Sequence, residues 1–111
     1  ELRVAARVRL AASRRTLRNG DTLGLRGRVG GGYVPPEGVI VALQALAGDR
    51  WRTFETVRTD SSGRFQADYT FRSVTARTRF RLRAVALRQA GWPYEPGASP
   101  VVSVAVRVRR P

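Results

Sequence analysis

Most of this chain is written in a period of two. Residues 22–29 put Leu23, Leu25 and Val29 on one side and Arg26 and Arg28 on the other, with Gly27 in the apolar phase. Residues 77–88 set Phe80, Leu82, Ala84 and Ala86 against Arg77, Arg79, Arg81 and Arg83. Residues 2–10 alternate in the same way, Leu2, Val4, Ala6, Val8 and Leu10 opposing Arg3, Ala5, Arg7 and Arg9. Near the end, Val102, Val104, Val106 and Val108 are expected inside, with Ser103, Arg107 and Arg109 outside. A strand sends successive side chains to opposite faces, so each segment reads as a strand with one core face and one wet face. With no convincing helical period, the expected fold is an all-β, antiparallel two-sheet sandwich of about seven strands in one domain, 1–111.

The punctuation between the strands agrees. Asn19-Gly20-Asp21 and Gly48-Asp49 are turn signals, and residues 30–38 and 89–100 are rich enough in Gly and Pro to be loops. Residues 39–46 are apolar on both faces, as in a central strand covered on both sides. Residues 51–71 read as a hairpin. Trp51, Thr53, Glu55 and Val57 share one side of its first arm, and Phe65, Ala67, Tyr69 and Phe71 share one side of the second. Asp60, Ser61, Ser62 and Gly63 lie in the turn between them.

Composition narrows the function classes. The chain has no Cys and no His, which removes disulfides, thiolate chemistry and the side chain best suited to proton transfer near neutral pH. It has no Lys to act as a nucleophile, and Glu37, Glu55, Asp68 and Glu95 are scattered, so no catalytic site is expected. Strand pairing of Glu55 with Asp68 would bring two carboxylates together, but amid so much arginine these read as ion-pair partners. No cofactor is expected. No metal site is expected either, since the turn around Asp60, with Asp21 or Asp68 as helpers, lacks the repeated carboxylates of a calcium loop. The absence of Met marks Glu1 as a processed end or a cut within a longer protein.

The strongest physical feature is charge. All 21 basic residues are Arg against 8 acids, a net +13. A GC-rich coding bias accounts for Arg over Lys but not for the excess, so the positive field is real. Aligned across strands, Arg26, Arg28, Arg77, Arg79, Arg81, Arg83 and Arg107 would offer a site for an anionic polymer, whether nucleic acid, acidic polysaccharide or wall polymer. The competing reading is a solvated face that keeps the domain soluble and blunts edge pairing. A second candidate is a loop patch of Tyr33, Trp92 and Tyr94, read either as a sugar platform or as a plug closing the end of the sandwich.

Residues 80–86, followed by Gly91, Tyr94, Gly97 and Ser99 and a Val-rich strand, resemble the last two strands of fibronectin type III and bacterial immunoglobulin-like domains. The turn at residues 59–65, preceded by Gln44 and Trp51, is similar to a hairpin of carboxypeptidase-regulatory-like (prealbumin-like) modules. Phe80 departs from the tyrosine often found at its position, and the Cys pair of antibody domains is missing. The resemblance implies an immunoglobulin-like sandwich serving as a spacer or adhesive unit of a secreted or cell-surface bacterial protein. Its partners would be neighbouring domains, with no membrane insertion and no small-molecule cofactor.

Overall fold

The computed structural model describes residues 5–30, 32–72, 74–90 and 92–108. They form nine strands: β1 (Arg7–Ala12), β2 (Thr16–Arg18), β3 (Thr22–Gly30), β4 (Ile40–Ala47), β5 (Arg50–Arg58), β6 (Arg64–Thr70), β7 (Thr78–Ala86), β8 (Gly97–Ala98) and β9 (Val102–Arg107). No helix occurs among the described residues, so none there is long and apolar enough to cross a membrane. Three strands, ordered β1-β3-β6, make a small sheet. Six make a large one, ordered β2-β9-β7-β4-β5 with β8 added beside β7. Seven strands have six residues or more, and the two short ones are what the period of two could not register.

The core lies between the sheets. Leu23, Leu25 and Val29 from the small sheet meet Val41, Leu43, Leu82, Ala84, Val104 and Val106 from the large one, all of them buried. Removing such side chains from water is worth about 1.5–3 kcal/mol for each of the larger ones, which is why the alternation survives at these positions. Gly27 fills its apolar slot by being small. A Cβ there would stand 2.1 Å from the ring of Phe65 and 2.2 Å from the Arg9 carbonyl, so the glycine makes room for that ring beneath the sheet.

The stretch 7–18 serves both sheets, first as β1 and then as β2. Ser13 ends β1 by donating its N–H to the Gly24 carbonyl and accepting the Gly24 N–H on its hydroxyl. The chain then crosses over and runs as β2, parallel to β9, with Leu17 in the core. At the other end Ser99 and Pro100 interrupt the last strand between β8 and β9. Ser99 is buried, and its hydroxyl accepts the Ala84 N–H at 2.9 Å and donates to the Pro100 carbonyl at 3.0 Å, so neither group is left bare.

The segment 51–71 is not a hairpin. β5 pairs with β4 and β6 pairs with β3, in opposite sheets, and Glu55 lies opposite Leu43 while Asp68 lies opposite Gly24. The turn chemistry is as expected, but the backbone groups at its two ends select different partners. Thr59 donates its N–H to the Val39 carbonyl and accepts the Val39 N–H on its hydroxyl, holding that end to the large sheet. The Gly63 carbonyl accepts the Val29 N–H at 2.8 Å and holds the other end to the small sheet. The two strands meet through side chains instead. A chain of rings, Phe54–Tyr69–Phe71–Phe80, crosses between the sheets with centroids 5.0–5.1 Å apart.

Two phase expectations fail. A register shift between Leu43 and Gln44 inserts Phe54 into β5, so Phe54 and Val57 pack against the core while Trp51 and Thr53 lie on the outer side with Gln44. Val108 lies just beyond the last ladder pair and is 45% exposed, because the sheet has ended before the alternation does. The central position of β4 is as expected, flanked by β5 and β7; on its outer face Ala42 is buried and Ile40, Gln44 and Leu46 are half-covered.

Within the connection, one Asp60 carboxylate oxygen accepts the Ser62 hydroxyl at 2.7 Å, the Ser62 N–H at 2.9 Å and the Arg64 N–H at 3.0 Å. The Ser62 hydroxyl first, and the Arg64 N–H next, hold this carboxyl below its ordinary value of 3.8, with the Arg64 charge adding to them. A depressed folded value contributes stability that is complete above 3.8 and lost as pH falls through the lower value. The stability gap between wild type and Asp60→Asn, measured by urea midpoints, is therefore expected at neutral pH and should shrink as pH falls below 3.8. A gap independent of pH would show that the charged form has no special role.

Candidate anion-binding faces

The seven arginines expected to form one surface lie on two opposite faces. Arg26 and Arg28 stand on the outer side of the small sheet, whereas Arg79, Arg81, Arg83 and Arg107 stand on the outer side of the large one, with Arg77 just before β7. Parity separates inside from outside, but both outsides look alike in a sequence. No single seven-arginine site exists.

On the small sheet the register produces something sharper. Arg9 pairs with Arg28 and Arg28 pairs with Arg64, so three arginines from three strands stand in one cross-strand row. The next outward row is Ala11, Arg26 and Gln66. Neighbouring strands are about 4.8 Å apart, and like charges placed directly opposite one another repel. In water that repulsion is about 1 kcal/mol or less per pair, which the core tolerates and which flexible side chains reduce by splaying. Neither Arg9 nor Arg28 has a carboxylate partner among the described residues. Ion pairs among the described residues lie elsewhere, as between Arg14 and Asp21 at 3.6 Å and between Arg88 and Glu95 at 3.0 Å. Together with Arg58 at the end of β5 and Asp60 from the β5–β6 connection, these rows border a groove of about 1140 Å³.

The large-sheet face is partly spoken for. The Arg83 guanidinium lies 4.3 Å from the centre of the Trp51 ring and its Nε donates to Gln44 Oε1 at 2.8 Å, while Gln44 Nε2 donates to Thr53 at 3.2 Å. Arg83 therefore braces β7 to β4 and β5. Arg79 and Arg81 are exposed beside the small residues Ala105 and Ser103, and Arg107 sits opposite Arg18 of β2. Arg64 and Arg58 were missing from the expected site because a turn-flanking arginine has no alternating row to belong to, and only register reveals its neighbours.

The aromatic candidates come together, but as a plug. Trp92 is 6% exposed, and its Nε1–H donates to the Tyr33 carbonyl at 3.1 Å. Tyr94 packs 5.4 Å from it, and its hydroxyl accepts the Tyr33 N–H at 3.1 Å. Only Tyr33, 58% exposed, offers a free ring. The acidic side chains do not converge: among the described residues no three could share a metal ion. Arg3 and Arg109 lie outside the described residues, as do Leu2, Val4 and Gly91.

Two sheets packed on one apolar core make this domain a β-sandwich. Its fold is similar to that of Spo0M, the sporulation control protein from Bacillus subtilis, with a TM-score of 0.57 and 15% sequence identity over 95% of this chain and 50% of that chain. The present chain thus spans about half the length of its structural neighbour, and at that identity the likeness concerns fold alone. No family model matches the chain, and no curated protein matches it in sequence.

Proposed function

We propose that this chain is an immunoglobulin-like domain acting as a non-catalytic interaction module, a spacer or adhesive unit, in a larger exported bacterial protein. Strand order carries the structural half of this reading. In immunoglobulin-type sandwiches the first, second and fifth strands share one sheet, and a strand following the third can join the opposite one; with the short β2 left out of the count, this corresponds here to β1-β3-β6 against the sheet containing β4, β5, β7 and β9. The prealbumin-like alternative loses its support, because the hairpin that suggested it does not form. Export is supported by the resemblance of residues 80–99 to cell-surface modules. As an independent unit the chain should unfold in one cooperative urea transition with a slope of about 1–3 kcal/mol/M. A multiphasic transition that becomes single only with flanking sequence attached would sink the module reading.

The in-register row Arg9–Arg28–Arg64 favours a second reading, in which what the module engages is an anionic polymer. On a heparin column it should then be retained beyond physiological salt, with affinity falling steeply as salt rises. Elution at or below physiological salt would leave the arginines as a solubilising surface.

A further inference from the structure

We infer that the groove across the small sheet is a binding site for an acidic polysaccharide, an inference that rests on the anionic-polymer reading and names its face and its ligand class. The groove runs across the strands. Its floor is the backbone of the row Leu10–Gly27–Phe65, whose side-chain direction is inward, with Leu10 packed on the core and the Phe65 ring buried beneath the sheet. Arg9, Arg28 and Arg64 form one wall, Arg26 and Gln66 stand on the other, and Arg58 with Asp60 borders the end beyond β6. Arginines on neighbouring strands about 5 Å apart, each able to grip a carboxylate or sulfate with two parallel bonds, suit a chain bearing closely spaced anions.

The remaining lining separates polysaccharide from nucleic acid. Grooves for single-stranded nucleic acid add aromatic rings on which bases stack, and here Phe65, the aromatic residue of the lining, is buried with its ring in the core. Gln66 and Asp60 contribute an amide and a carboxylate, groups that match sugar hydroxyls. The large-sheet row is the weaker candidate because Arg83 is already held by Trp51 and Gln44.

The test compares a heparin oligosaccharide with a thymidine oligonucleotide of matching charge at physiological salt, for wild type, Arg28→Gln/Arg64→Gln and Arg79→Gln/Arg81→Gln. The expected result is a loss of about tenfold or more in oligosaccharide affinity for the small-sheet pair, with the slope of log affinity against log salt reduced by about two. The large-sheet pair should change affinity less than about twofold, and the oligonucleotide should bind about tenfold or more weakly than the oligosaccharide. Arg9→Gln should reproduce part of the loss should the double variant be poorly folded. Equal binding of the oligonucleotide would overturn the ligand class, and a loss carried by Arg79 and Arg81 would overturn the face; both would leave the charge-based reading standing. Failure of both probes to bind even at low salt would take down that reading and the inference together.

Discussion

Replacing Trp92 with alanine is expected to destabilise the domain by about 3–5 kcal/mol, a large part of the roughly 5–15 kcal/mol that holds a domain of this size together. The ring is buried among the core side chains at the end of the sandwich, and its Nε1–H donates to the Tyr33 carbonyl, so the substitution empties space and releases the preceding loop at once. Trp92→Phe separates the two effects. It keeps most of the apolar area but leaves the Tyr33 carbonyl without that donor, for an expected cost of about 1 kcal/mol. Urea midpoints for the two variants check the ordering, and Trp92→Ala should also lower the melting temperature by roughly 10–20 °C. A near-neutral Trp92→Ala would mean that the ring is a surface feature after all, reopening the sugar-platform reading of Tyr33, Trp92 and Tyr94.

What the sequence made legible follows from the reach of a period of two. It orients a side chain relative to its own strand, and it therefore placed Leu23, Leu25 and Val29 inside and Arg79 and Arg81 outside, as the structure has them. It does not say which strand comes next in the sheet. Residues 51–58 and 64–70 looked like partners because they are adjacent in sequence and both alternate. Sheet membership is decided at Thr59 and Gly63, whose backbone groups bond to Val39 and Val29 in different sheets. Phe54 shows a second limit, since one inserted residue reverses the phase of everything on its far side. The candidate site was visible as charge and invisible as geometry: the row Arg9–Arg28–Arg64 draws on three strands distant in the chain, and only pairing register brings them together.

Gly63→Ala is the second large effect, and its comparison with Gly48→Ala isolates the cause. Both glycines have positive φ, +85° and +65°, where a Cβ costs about 1–2 kcal/mol whatever surrounds it. Gly48 occupies the first position of the two-residue loop between β4 and β5, and a Cβ there meets nothing within 4 Å. At Gly63 the same atom would stand 2.2 Å from the Val29 carbonyl oxygen. Backbone cannot rotate away as a side chain can, so the start of β6 must move off β3 and strain the bond from the Val29 N–H to the Gly63 carbonyl. The expected losses are about 1 kcal/mol for Gly48→Ala and about 3 kcal/mol or more for Gly63→Ala, read from urea midpoints. Gly63 also sets the next residue, Arg64, into register with Arg28, so a Gly63→Ala protein that still folds should bind the heparin oligosaccharide more weakly, while Gly48→Ala, at the far end of a large-sheet hairpin, should bind as wild type does. Equal stability losses for the two variants would show that left-handed backbone alone, and not the approach of the strands, makes Gly63 necessary.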